Sequence, residues 1–313
     1  MDFTLKIYKT LLNALQQQGF SFQTFEQYAS NQESFQIQRG GTTVRDSNHQ
    51  IIKSSNPERR NDDSGLKFYP EVLEEPQTLK SSNQESSNLI ILRHDVDARP
   101  LNSLRFARIQ AKRGIAGTYY FRMVPQSWDE AIISEMVELG HEVGYHYETM
   151  DTCRGDVDKA YEAFCRHLEK FRKHTPVKTI SMHGSPLSKF DNRDIWQKYD
   201  YKKLGIIAEP YFDINFNELF YITDTGRRWD GHLYNVRDKA TKENPITNPE
   251  FLNRRYHSTN DIIKAVNKGS FPQKAMLNFH PQRWNDKPLP WLKEFVWQNV
   301  KNQGKRILLS VRK

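Results

Sequence analysis

From Leu89 onward, short unbroken apolar runs alternate with stretches in which apolar residues return every three or four positions. Asn88-Leu89-Ile90-Ile91-Leu92 is the first run, of the kind expected for a parallel strand covered on both faces. Pro100 opens a predicted helix carrying Leu101, Leu104, Ala107 and Ala111, and Gly114 closes it. Gly117 to Phe121 predicts a second strand. Ile132, Ile133, Met136 and Val137 predict a helix that stops at Gly140, and Glu142 to His146 a third strand. Tyr161, Phe164, Cys165, Leu168 and Phe171 share one helical face, with Asp156 and Asp158 at its positive N-terminal end. Val177 to Met182, Glu218 to Thr223, Ala275 to Phe279 and Arg306 to Val311 read as further strands, with a helix near Trp291 to Asn302. Strands separated by helices imply parallel βαβ units, so the expected fold class is α/β, a (β/α) barrel over residues 89–313.

The chain before that barrel has two characters. Residues 1–29 begin with an amphipathic pattern broken by Lys6, Lys9 and a Gln run, without a small-residue cleavage site. They read as a helical segment packing on the barrel rather than a signal peptide. Residues 30–88 are rich in Ser, Asn, Gln, Glu and Arg, with isolated apolar residues such as Phe35, Ile51 and Tyr69. Such a segment cannot form a core alone and reads as a polar, flexible insertion.

Composition narrows the class. Hydrophobic residues make up 37% of the 313, the mean hydropathy is −0.80, and no run approaches the roughly 20 apolar residues of a membrane span. Cys153 and Cys165 are the only cysteines, which argues against a disulfide framework and makes a reducing cytoplasm the expected location. The net charge of +8 is spread among almost as many acids, with no arginine-rich tract, so nucleic acid is not the expected partner. An anionic sugar, a nucleotide-sugar or a membrane-face substrate accounts for the charge equally well.

Ionisable residues gather where the apolar runs end: His94-Asp95-Val96-Asp97 after the first, His146 after the third, His183 after the fourth and His280 after Phe279. The strands of a parallel barrel end on one face, so residues this distant in sequence would converge there. Asp95 and Asp97 are separated by one residue, which on a regular strand points both the same way. Two carboxylates that close repel unless a cation or a shared proton intervenes. A divalent metal would relieve the conflict; alternatively Asp95 or Asp97 simply caps the helix opening at Pro100.

These residues resemble the NodB-like polysaccharide deacetylases, a carbohydrate esterase family 4-like group. Leu92-Arg93-His94-Asp95-Val96-Asp97 is similar to the family's first motif, in the HDVD variant whose acids are split by one residue. Gly140 to His146 looks like the approach to its second motif, and Leu277-Asn278-Phe279-His280-Pro281 like its final one. The resemblance implies a distorted, TIM-like barrel of the polysaccharide deacetylase type with zinc as the expected divalent metal. Asp95 would then be general base, Asp97 and His146 ligands, and His280 the general acid for the departing amine. The family's second motif has another histidine four residues after the first, where this chain has Met150, a poor ligand for such an ion. Its arginine-Pro-Tyr-Gly motif is not found in that form. Glu148, Asp151 or His183 would supply the missing ligand. His183 is preferred because His183-Gly184-Ser185-Pro186 stands at a strand terminus, and zinc accepts the mixed set.

Arg228-Trp229 and Arg283-Trp284 suggest either a sugar-binding wall, with rings packing on a pyranose and guanidinium groups taking an anionic substituent, or equally a surface arginine beside a half-buried tryptophan. Asp224 would instead orient a catalytic partner. His94 and His141 read as structural, and His167, His174, His232 and His257 as surface groups. The expected activity is metal-dependent C–N hydrolysis removing an N-acetyl or related acyl group from a sugar of a surface polysaccharide or its precursor. The alternative is a catalytically inactive barrel that binds carbohydrate or a biosynthetic partner. A glycoside hydrolase using Asp95 and Asp97 is disfavoured, because residues this near in sequence rarely reach the separations it needs.

Overall fold

The computed structural model describes residues 1–38, 88–185, 188–230 and 245–311. Along them run α1 (Leu5–Gln17), β1 (Ser21–Gln23), α2 (Phe25–Gln38), β2 (Leu89–Val96), α3 (Pro100–Ala111), β3 (Thr118–Phe121), α4 (Glu130–Glu138), β4 (Glu142–Tyr147), α5 (Thr149–Thr152) and α6 (Val157–Phe171). Then follow β5 (Ile180–Met182), α7 (Pro210–Asp213), β6 (Phe220–Thr223), α8 (Pro249–Leu252), α9 (Thr259–Asn267), β7 (Lys274–Phe279) and α10 (Pro288–Val311). Most of the insertion expected over 30–88 lies outside the described residues, as does His232; the insertion's first residues belong to α2.

Every described strand pairing is parallel, in the order β5-β4-β3-β2-β7-β6, with β1 beside the first half of β2. All eight residues of β2 are buried, which is why the first apolar run shows no alternation. Among the described residues the end strands β5 and β6 do not pair, although Thr179 bridges to Ala208 beside β5. The sheet therefore curls into a half-barrel with helices around it. Gly144 in β4 allows tight packing: a Cβ there would meet the Tyr120 ring at 2.5 Å and the Thr179 carbonyl at 2.6 Å.

Helices close on side chains the sequence supplies. Asp129 accepts from the Ile132 amide at the start of α4, and Asp156 from the Lys159 amide at the start of α6. Neither Asp95 nor Asp97 caps α3. Arg99 stands at that N-cap with φ 56° and no side-chain cap bond, so both carboxylates remain free for other work. α1 covers the outer layer, where Tyr8 packs against Phe106 and Phe279.

Two expectations are corrected. Ser21–Gln23 is a strand, paired with Leu89–Ile91, where only helix was expected. Arg306–Val311 is not a closing strand but the last turns of α10. A short apolar run has no periodicity to separate strand from helix, and adding turns to an existing helix needs no new nucleus.

Candidate active site

Alternation along β2 sorts its polar residues to two sides. His94 faces the helices, stacked on Tyr119 with ring centroids 4.1 Å apart and bonded to the Thr118 carbonyl at 3.0 Å. Burial pushes its pKa down to about 3, so it is a neutral structural imidazole. His141 is similarly held between the Gly117 amide and the Ala107 carbonyl. Arg93 and Asp95 take the opposite side, inside the curl. Arg93 grips Asp95 with two bonds of 2.9 Å and reaches Ser181 Oγ at 2.7 Å. Asn278, the register partner of Arg93 on β7, donates to Asp95 Oδ2 at 2.9 Å. Burial would raise the Asp95 pKa, but Arg93 foremost, with His146 and His280, holds it below the usual carboxylate value. Arg93 was not singled out in the sequence, although its position two residues before Asp95 places it on the same strand face.

Asp97, just past the end of β2, is where the histidines meet. His146 Nε2 lies 3.6 Å and His183 Nε2 3.7 Å from its Oδ1, and His280 Nε2 lies 3.9 Å from its Oδ2. Gln282 donates to Oδ2 at 2.9 Å, whereas the buried Oδ1 accepts no hydrogen bond. Burial opposes ionisation of Asp97, but His280, His183, His146 and Arg283 outweigh it and keep the carboxylate charged. His146 Nδ1 is bonded to the Ser181 carbonyl at 2.9 Å, which turns Nε2 toward Asp97. Burial lowers its pKa to about 4, leaving the neutral form that binds metals.

One orphaned carboxylate oxygen is thus faced by two imidazole nitrogens, with His146 oriented from behind by the Ser181 carbonyl, while His183 Nδ1 lies 3.0 Å from Glu148 without a hydrogen bond. The separations of 3.6 and 3.7 Å are a few tenths of an ångström wider than the roughly 3.3 Å between ligands of a tetrahedron with bonds of about 2.0–2.1 Å. Among the described residues no group of three or more His, Cys, Asp or Glu is arranged so as to hold a metal ion.

Of the two candidates for the missing ligand, His183 faces Asp97 and Glu148 stands behind it. Glu148 is gripped by Arg122 at 3.1 and 2.6 Å, and its Oε2 lies 3.0 Å from His183 Nδ1. Met150 is a core residue of α5, 3% exposed. Asp151 pairs with Ser188 and Asn192. Glu148→Gln is expected to weaken zinc binding about 10- to 100-fold through loss of the His183 orientation, and His183→Ala to weaken it further. Titration against a competing chelator measures both; equal affinity in Glu148→Gln and the parent would remove the supporting role.

His280 and Asp224, from the ends of β7 and β6, form the second half of the site. Asp224 Oδ1 lies 2.6 Å from His280 Nδ1, its carboxylate also accepts from the His280 amide, and Trp284 Nε1 donates to Oδ2 at 2.6 Å. Arg283 adds a bond of 3.2 Å to Oδ1. Burial and Arg283 would depress the His280 pKa, but Asp224 and Asp97 more than offset them and raise it above the ordinary histidine value.

The expected sugar-binding wall is corrected. Trp229 and Trp284 are 4% and 1% exposed, packed against Phe279 and bonded to Thr259 and Asp224 respectively. Their rings complete the core, and no face is open to a pyranose. Arg228 grips Asp230 at 2.7 and 2.8 Å, and Arg283 serves Asp224. His257 is exposed and bonded to Asp230, and His167 takes the Tyr145 hydroxyl.

Neither the family models nor the curated proteins compared with the chain match it. Five solved chains do, three of which are the following. The catalytic domain of peptidoglycan N-acetylglucosamine deacetylase from Eubacterium rectale is 12% identical, with 68% of this chain and 84% of that one covered at a TM-score of 0.37. The Xyl-CE4 domain of a multidomain xylanase from the hindgut metagenome of Trinervitermes trinervoides is 12% identical, over 69% and 84%, at 0.35. PdaA of Bacillus subtilis, a family 4 carbohydrate esterase, is 15% identical, over 69% and 75%, at 0.32. TM-scores this low say nothing of individual side chains, and the roles proposed below come from this chain's own geometry.

Proposed function

We propose that this chain is a divalent-metal-dependent hydrolase that removes an N-acetyl or related acyl group from a sugar of a surface polysaccharide or its precursor. The observation that carries the reading is Asp97 Oδ1, a buried acceptor without a hydrogen bond, faced by His146 and His183 at 3.6 and 3.7 Å. Asp97, His146 and His183 would hold the cation, and their mixed oxygen and nitrogen donors suit zinc. A divalent cation there would polarise the acyl carbonyl and acidify the attacking water, which suits a base as weak as Asp95.

Asp95, kept ionised and aimed by Arg93 and Asn278, takes the proton of the attacking water. His280, whose protonated form Asp224 favours, delivers a proton to the departing amine nitrogen. Base and acid come from neighbouring strands whose ends share one edge of the sheet, so they flank a single reaction centre. The basic balance of the chain, +8 overall, favours a glycan bearing anionic groups.

A second reading, a silent barrel that binds carbohydrate, draws support from Met150 and from the slightly wide donor spacing. Elemental analysis of the purified protein with an acetate-release assay on N-acetylated glycans separates the two. The hydrolase reading expects near-stoichiometric zinc that is lost in His146→Ala together with acetate release. Glycan binding by a protein that takes up no divalent metal would overturn it.

A further inference from the structure

α10 is built inside out. The side chains it turns toward the body of the protein are mostly polar: Gln298 and Asn302 are buried and bonded to each other, Asn302 donates to the Gly226 carbonyl at 2.9 Å, and Glu294 meets Arg99 at 3.3 Å, with Trp291 beside them bonded to the Asp2 carbonyl and lying under Arg227. The opposite face carries Leu289, Leu292, Val296, Trp297 and Val300, at the spacing of successive helical turns and between 51% and 80% exposed, while Phe295, 44% exposed, stacks on Trp291 toward the inner side. Of the ten large apolar side chains exposed among the described residues, six lie in these twelve positions. Scattered exposed apolar residues need no account, whereas a contiguous patch of this kind marks a surface that is covered in use.

Charge selects what covers it. Over the residues whose side chains are described, the helix holds Lys293 and Lys301 against the single acid Glu294, which is already paired with Arg99. Lys293 stands within the arc of the apolar face, and Lys301 lies over the Trp297 ring at 5.2 Å. A second copy meeting this face about a two-fold axis would bring two basic helices together, and that juxtaposition is repulsive. Apolar side chains with a tryptophan on one side and lysines beside them are the composition of a helix that lies in the plane of an anionic lipid surface.

The position of the helix fits that surface. Gly226, which Asn302 holds, is two residues from Asp224, and Arg99, which Glu294 holds, also donates to the Gln282 carbonyl. Gln282 in turn holds Asp97. Lys301 is close enough to Asp97 and Arg283 to feel their charge. α10 therefore borders the mouth of the candidate site.

We propose that the outward face of α10 docks on an anionic lipid surface, setting the mouth of the site against the membrane. Docking does not depend on the hydrolase reading, although the two together name the substrate class as a glycan carried on or presented at a lipid. The test is co-sedimentation of the full chain with vesicles of phosphatidylcholine plus phosphatidylglycerol, against phosphatidylcholine alone, at low salt. Preference for the anionic vesicles of about tenfold or more is expected, with loss of at least that factor in the Val296→Glu, Val300→Glu double variant. Leu289→Glu, at the most exposed position of the face, is a second variant that leaves folding undisturbed; unchanged melting curves verify this for both. Three outcomes overturn the proposal: no association with anionic vesicles, association that both variants retain, or a dimer in gel filtration that the double variant dissociates without any vesicle binding. Acetate release plays no part in these readouts, so failure of docking and failure of the hydrolase assignment are distinguishable.

Discussion

Asp95→Asn is expected to abolish measurable turnover, a loss of about 10²–10⁴-fold for removal of a general base, while zinc remains bound. Its stability should fall as well. Arg93 is buried and spends two bonds of 2.9 Å on that carboxylate, and breaking a buried ion pair by neutralising one member typically costs about 3–5 kcal/mol. Denaturant unfolding and elemental analysis read the two effects separately. The double variant Arg93→Met, Asp95→Leu sharpens the test, because removing both charges avoids stranding either one. It should regain much of the lost stability and none of the activity. Turnover persisting in Asp95→Asn, with metal bound and the fold intact, would assign the base elsewhere.

Asp224→Asn has the second large expected effect, and its signature is in the pH profile. The folded protein holds the His280 pKa above its ordinary value because Asp224 and Asp97 outweigh burial and Arg283. The protonated form of His280 thus persists to higher pH than in an ordinary histidine, and activity requiring that proton is present below its pKa and lost as pH rises through it. Without the Asp224 charge, burial and Arg283 act with less opposition, the pKa falls, and the alkaline limb of kcat/KM moves to lower pH. At neutral pH the rate should drop by about 10²–10⁴-fold, the usual contribution of a positioned general acid, and recover in part in mildly acidic buffer. An alkaline limb that stays where it was would remove His280 from the acid role.

How far the sequence revealed this arrangement depended on what each residue packs against. The central strands were legible because both of their faces are covered, so Leu89 to Leu92 and Ala275 to Phe279 appear as unbroken apolar runs. Asp97, His146, His183 and His280 stood out because polar residues terminate those runs, and parallel strands bring their ends to one edge. Asp224 entered as an alternative, an acid after a strand, and the His280 bond gives it a definite partner. Arg93 escaped notice because an arginine at the end of an apolar run looks like a flanking charge; its partner is visible only once strand alternation is applied to Asp95. Trp229 and Trp284 were misplaced for a different reason. Arginine beside tryptophan is compatible with a wall or with a core, and only Phe279 and the Asp224 carboxylate, distant in sequence, decide for the core. The ending of α10 was misread because a few apolar residues carry no period of their own.

The pairing of β2 with β7 has a consequence for how the chain acquires its shape. Leu89 finds its partner at Lys274, so the middle of the sheet joins segments from the two ends of the barrel. During synthesis the first strands emerge long before that neighbour exists, and their unsatisfied edge must wait for most of the polypeptide to be made. Closing so long a loop delays the reward of the contact, so slow maturation and an aggregation-prone incomplete chain are expected. Any truncation that removes β7 would deprive β2 of half its hydrogen-bonding, and with it the scaffold on which Asp95 and Asp97 are aligned.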